Sequence, residues 1–164
     1  MSVTLSGPWT AYWIRFISLI MGWYFLHAGL DKVVNWPFDA GWFVGGAAQA
    51  SILAPIITPF SDGIALTFVN FAIPIGQVLI GLGLVVGALT RLAAFFGALL
   101  MNFFYFVNGP GGAWAHGMVN GDLMALILFA TVIVFGSGKV FGIDQYLRQT
   151  GFVKNHPQLR YLLG

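Results

Sequence analysis

The stretch Tyr12–Val34, YWIRFISLIMGWYFLHAGLDKVV, is 23 residues long and charged only at Arg15, Asp31 and Lys32. As a helix rising 1.5 Å per residue it covers roughly 34 Å, enough to cross the hydrocarbon of a bilayer. Arg15 stands three residues into the run and no small-residue cleavage site follows it. The segment therefore reads as a retained first span and not as a signal peptide. Toward its end Tyr24, His27 and Asp31 are spaced three and four apart, which places them on one helical face. An ionisable group within a span faces protein, water or the headgroup level, so this face is expected to meet other polar groups.

The rest of the chain has the same character. Of its 164 residues 59% are hydrophobic and 7% are charged, whereas soluble domains carry about 25% charged residues. So few charges do not cover a water-exposed surface, and the chain reads as an integral membrane protein. It has no cysteine, which removes disulfides, thiol redox chemistry, iron–sulfur ligation and cysteine zinc sites. The net charge is +2, and no glutamate is present. That balance bears on membrane orientation, and no nucleic-acid partner is expected.

Three further spans are expected. Asn35-Trp36-Pro37 closes the first. Ser61-Asp62-Gly63 opens the second, about residues 64–89, with Pro74 predicting a kink and Gly83 and Gly87 forming a small-xxx-small pair. Thr90-Arg91 is too short a link for anything but antiparallel neighbours, so the third span, about 92–107, lies beside the second. After a glycine-rich loop, Asn120-Gly121-Asp122 opens the fourth, about 120–135. Residues 139–164 mix apolar and basic side chains, as suits a segment on the membrane surface. Between the first two spans, residues 38–60 are apolar but broken by Gly41, Gly45-Gly46, Pro55 and Pro59. The piece from Gly41 to Leu53 is too short to span and reads as an interfacial or re-entrant helix. The fold expected is an all-α, integral membrane four-helix bundle, one membrane domain over residues 1–164. With four spans, six of the seven basic residues fall on the side of the termini and Lys32 alone on the other. Asp31, Asp39, Asp62 and Asp122 all fall opposite the termini. The positive-inside rule then places both termini in the cytoplasm and the chain in the cytoplasmic membrane.

On this topology Tyr24, His27, Asp31, Asn70, Asn102, Tyr105, His116, Asn120 and Asp122 lie at a similar depth, toward the outer face. A polar group isolated in hydrocarbon costs several kcal/mol, so inward-facing groups seek one another. The expectation is a pocket open outward and lined by His27, Asp31, Asn102, Tyr105 and His116, with Asp31 orienting the imidazole of His27. The plainer alternative makes Asp31 and Lys32 headgroup-level residues, Asn102 an interhelical hydrogen bond and His116 a solvated loop residue. Gln77, near the midplane, is either interhelical glue or a donor to a ligand carbonyl. Neither a haem nor a metal site is expected. His116 sits in a loop with no second histidine pair, and His27, Asp31, His116 and Asp122 have no diagnostic spacing.

Several local patterns together resemble the DoxX/DoxD family of small four-helix membrane proteins. They are Arg15 with its apolar run; His27-Ala-Gly29-Leu-Asp-Lys32; Gly76-Gln77-x3-Gly81-Leu-Gly83 leading to Leu89-Thr90-Arg91; Met101-Asn102; and Gly136-x-Gly138-x5-Asp144. The resemblance implies a membrane subunit of a thiosulfate:quinone oxidoreductase, with quinone as electron acceptor and no flavin. On that basis His27 and Asp31 are the expected catalytic pair. Lys32, Gln77, Asn102, Tyr105 and His116 are expected to bind substrate or quinone, Lys32 by attracting an anion such as thiosulfate. Two other functions stand beside this one: a non-catalytic accessory or assembly subunit of a respiratory complex, and a small-solute carrier, suggested by Pro74 and the broken stretch from Gly41 to Pro59. The partners expected are membrane lipid and either other subunits of a membrane complex or copies of this chain.

Overall fold

The computed structural model describes residues 7–109, 114 and 117–164. Its described elements are all helical. Helix α1 (Pro8–Val34) begins four residues before the apolar run, because Pro8 has its φ preset for a first helical turn. A series of short turns follows: a π-helical turn over Trp42–Gly46, a 3-10 turn over Ala47–Ala50, the single-turn α2 (Ala54–Ile57) and a 3-10 turn over Thr58–Phe60. Then come α3 (Gly63–Val86), α4 (Thr90–Asn108) and α5 (Gly121–Phe135), and in the tail α6 (Asp144–Leu147) and α7 (Gly151–Asn155). Helices α1, α3 and α4 are long and apolar enough to cross a membrane, while α5 has 15 residues, or about 22 Å.

These four longer helices pack in a ring, α1 along α3, α3 beside α4, α4 along α5 and α5 back against α1. The core they enclose is Met21, Phe25, Ile80, Leu84, Ala93, Ala94, Met101, Phe129 and Val132. Phe25 and Phe129 meet edge to face at its centre, 4.9 Å between centroids and 85° between planes. Large apolar side chains such as Trp13, Trp23, Phe68, Phe95 and Ile127 are turned outward, the arrangement that a lipid solvent permits and water does not. Helix α3 runs through Pro74 without interruption, with the proline ring buried.

Glycine sets the closest helix pair. A Cβ on Gly81 would fall on the backbone of Leu26, and one on Gly29 would lie 2.7 Å from the Val78 nitrogen. In a bilayer such close approach replaces the missing hydrophobic drive between helices with van der Waals contact. Gly83 and Gly87 act elsewhere. Gly83 faces Ala93 at the start of α4, and Gly87, at φ +76°, ends α3 and packs on Gly142 of the tail.

At the end of the bundle nearer the termini, one carboxylate ties three separate segments together. Asp144 is fully buried. Its Oδ1 accepts from the Leu89 N–H at 2.7 Å, and its Oδ2 accepts from the Thr90 N–H at 3.0 Å, the Thr90 hydroxyl at 2.8 Å and the Gly164 N–H at 2.8 Å. Leu89 sits at φ +50°, a conformation costly for a branched side chain, and its N–H is held by this bond. Nearby, Arg15 donates to the Leu84 carbonyl at 2.8 Å and the Val85 carbonyl at 2.6 Å, and Ser18 to the Leu84 carbonyl at 3.3 Å. These bonds satisfy carbonyls freed at the C-terminal end of α3 and place a cation at the negative end of its dipole.

Two outcomes follow from this packing. Gly81→Ala should destabilise the protein by about 1–3 kcal/mol through overpacking against α1, while Gly76→Ala, with open space at its Cβ, should not; melting temperatures in one detergent compare them. Asp144→Asn turns an acceptor-only group into one that also presents N–H to N–H. It should cost about 3 kcal/mol or more, and Thr90→Val, which removes one hydroxyl bond, about 1–2 kcal/mol, measured by the same unfolding assay.

Candidate functional site: an apolar cavity at the distal end

The segment of short turns between α1 and α3 covers a cavity at the end remote from the termini. The short helix expected over residues 41–53 is present as consecutive π-helical and 3-10 turns over Trp42–Ala50. The glycines within the segment and the prolines that follow keep it from running on as one continuous helix, so the whole segment forms a bent strap. Two bonds hold it down. Ser51 donates to the Phe106 carbonyl at 3.0 Å, and the Ala40 N–H donates to Asn70 Oδ1 at 2.8 Å. Ser51 and Ala40 are both buried, and Phe43 meets Phe104 edge to face at 5.3 Å.

Under the strap lies a cavity of about 400 Å³. Trp42, Phe43, Ile57 and Phe60 form its roof, Ile73 on α3 and Phe104 on α4 its floor. Its charged group is Lys32, at the last turn of α1, and Asn108 supplies a polar edge. Lys32 Nζ donates to the Ala28 carbonyl at 3.0 Å and stands 5.7 Å from the centroid of the Phe38 ring. An ammonium has three protons, so one bond to Ala28 leaves two for a ligand. Asn108 donates to Asp122 at 2.9 Å, joining the ends of α4 and α5.

The residues singled out from sequence are not gathered into one pocket. Lys32 lines the cavity. His27 and Tyr24 are exposed on the outward face of α1, where the imidazole lies 6.3 Å from the Trp23 ring. Asp31 is also exposed and accepts from the Asn35 amide at 2.9 Å, one turn further on, rather than from His27. The three-and-four spacing did put Tyr24, His27 and Asp31 on one face, but Gly22, Phe25 and Gly29 occupy the face that meets α3 and the core. Gln77 is buried in the α1–α3 seam against Gly29, its Oε1 without a partner among the described residues, and is not part of the cavity wall. Asn102 is half-buried on α4. Tyr105 donates its hydroxyl to the Met118 carbonyl at 3.0 Å, a bond that fastens the α4–α5 connection. His116 lies outside the described residues. Among the described residues no three His or Asp side chains come together as a metal site.

Sequence reasoning singled out the strap segment but named none of its side chains as lining a cavity. Its signal was present in Trp42-Phe43 and Ile56-Ile57 set between helix breakers, an apolar segment that neither spans nor stops being apolar. Such a segment needs apolar cover, and the outer halves of α3 and α4 provide it.

No curated protein and no solved structure matches the chain. A family model described as "TQO small subunit DoxD" matches it from residue 13 to residue 162. That span runs from the first turns of α1 through the strap and cavity to the tail that carries Asp144 and Leu162, and on it the chain belongs to the DoxD family.

Proposed function

We propose that this protein is the membrane subunit of a quinone-linked oxidoreductase of the thiosulfate:quinone type, and that the cavity beneath the strap is where a quinone is held. The observation that carries this reading is the pairing of an apolar, aromatic-walled space with one cationic donor. Its 400 Å³ falls within the roughly 300–1,000 Å³ of small-molecule sites, which combine apolar walls with few polar groups. Aromatic and branched side chains suit a quinone ring and an isoprenoid tail, and Lys32 Nζ suits a quinone carbonyl. The name of the matched family gives the same chemistry. A bound quinone would supply the two-electron acceptor; the chain's own part is to exclude water, seat the ring and donate a hydrogen bond from Lys32.

In this reading α5 is a fourth crossing helix. Both ends of the chain then face the cytoplasm, where Arg15, Arg91, Lys139, Arg148, Lys154 and Arg160 lie. His27 and Asp31 belong to the outward face of α1. An imidazole in hydrocarbon calls for a polar partner, and here that partner is a second subunit of the complex, so their part is in assembly and not within the cavity.

The test is binding of a short-chain ubiquinone or menaquinone to the purified protein in nanodiscs. Ile73→Trp, which fills the space, should lower affinity at least tenfold. Lys32→Met should lower it about tenfold, the worth of one charge-assisted hydrogen bond. His27→Ala should leave it unchanged. Equal binding by the wild type and Ile73→Trp would place the quinone elsewhere.

A further inference from the structure

A second space adjoins the cavity. It is a groove of about 470 Å³, with Trp36 and Phe38 on one bank and Ile64, Phe68 and Phe71 of α3 on the other. Trp36, Ile64, Phe68 and Phe71 are all exposed, so the groove opens to the surrounding medium, while the cavity lies under the strap.

Only a thin wall divides the two. Phe38 lines both spaces, and Lys32, which lines the cavity, holds its Nζ 5.7 Å from the centroid of that ring. Helical spacing on α3 gives the same division. Val69 and Ile73 line the cavity, Thr67 and Phe71 line the groove, and Asn70 stands between these two faces. The strap crosses α3 at Asn70, whose Oδ1 accepts from the Ala40 N–H at 2.8 Å. The wall is thus one aromatic ring and one hydrogen-bonded crossing.

The lining of the groove states what it takes. No lysine, arginine or histidine is part of it, so it has nothing with which to neutralise a phosphate headgroup. Its polar side chains are already engaged. The Thr67 hydroxyl donates to the Gly63 carbonyl at 3.1 Å, and Asn70 is held by Ala40 and, through its amide at 3.5 Å, by Asp39. What remains is aromatic and branched apolar surface, which suits bare hydrocarbon.

We propose that this groove holds the isoprenoid tail of a quinone whose ring sits beside Lys32, the tail leaving the cavity past Phe38. The inference rests on the cavity being the quinone site. At about 400 Å³ the cavity is near the small end of ligand pockets, roughly 300–1,000 Å³, and takes a ring with a short part of a long tail. The remainder needs an exit, and the adjoining apolar space supplies one. A tail in lipid is already out of water, so the groove adds only packing against fixed side chains. It therefore sets where the tail leaves the protein, and the ring contacts remain the main source of affinity.

The full-length protein in nanodiscs tests this with two probes: a tail-free ubiquinone, and a ubiquinone with a tail of several isoprene units carrying a diazirine midway along it. Photolysis should label Trp36, Phe68 or Phe71, and excess tail-free quinone should suppress that labelling by taking the ring site. Thr67→Trp fills the groove from an exposed helical position. It should weaken binding of the tailed quinone about fivefold, the worth of several dispersion contacts, and leave the tail-free quinone bound as before. Tail-free binding separates this inference from the reading beneath it. If it is absent, or indifferent to Ile73→Trp, the cavity is not the quinone site and both fall. If it is present and sensitive to Ile73→Trp, three results overturn the groove alone: labels elsewhere, labels that persist under excess tail-free quinone as ordinary lipid contact does, or tailed-quinone affinity unchanged by Thr67→Trp.

Discussion

A single carboxylate holds the terminal end of this protein together. Asp144 arrives from the tail, far in sequence from the α3–α4 turn, and accepts four hydrogen bonds from that turn and from Gly164. Without it the Leu89 and Thr90 N–H groups would be buried donors at a helix start with no acceptor. The positive φ of Leu89 and the close packing of Gly87 on Gly142 and of Gly138 on Asp144 accompany that one attachment. Arg15 performs the complementary task on the other side of the turn, taking the last carbonyls of α3 and so fixing α1 to α3.

The two ends of the bundle are built on opposite principles. The terminal end is polar, closed and bonded through: a buried acid and a buried arginine, with glycines admitting the tail. The distal end is apolar and left partly hollow, because a strap of short turns covers α3 and α4 without filling the space between them. Lys32 is the exception there, a lysine at the last turn of α1 that lines the cavity and whose ammonium stands 5.7 Å from the centroid of the Phe38 ring. Four closely packed helices join the bonded end to the hollow end. The apolar core around Phe25 and Phe129 separates the two.

Particular residues show where sequence reasoning reached and where it stopped. Apolar length alone gave α1, α3 and α4 to within a few residues, since backbone bonding in hydrocarbon leaves a helix as the available choice. The helix starts at Asp62 and Asn120 were legible, but the side-chain cap expected at the first is not made, whereas Asn120 Oδ1 accepts from the Leu123 N–H at 2.9 Å. Thr90-Arg91 and Gly136-x-Gly138-x5-Asp144 were legible as patterns, but not as partners. Helical spacing correctly put Tyr24, His27 and Asp31 on one face and could not say whether that face turned inward. The glycines decided it: Gly22 and Gly29 admit α3 on the opposite side, and a helix presents its smooth face to its nearest neighbour.

The sequence by itself determined the apolar character and the helical class, because composition and apolar run length are local quantities; of the four spans it led us to expect, three are helices long enough to cross a membrane and the fourth, α5, has 15 residues. The tertiary structure alone decided which polar groups meet. Asp144 finds Thr90, Lys32 enters the cavity, and His27 does not join Tyr105 or Asn102, since such encounters depend on how each helix is rotated about its own axis. That rotation is set by where backbones can approach most closely, at Gly29 and Gly81, and by which segment can be folded over the exposed halves of α3 and α4. Neither is a property of any one stretch of chain.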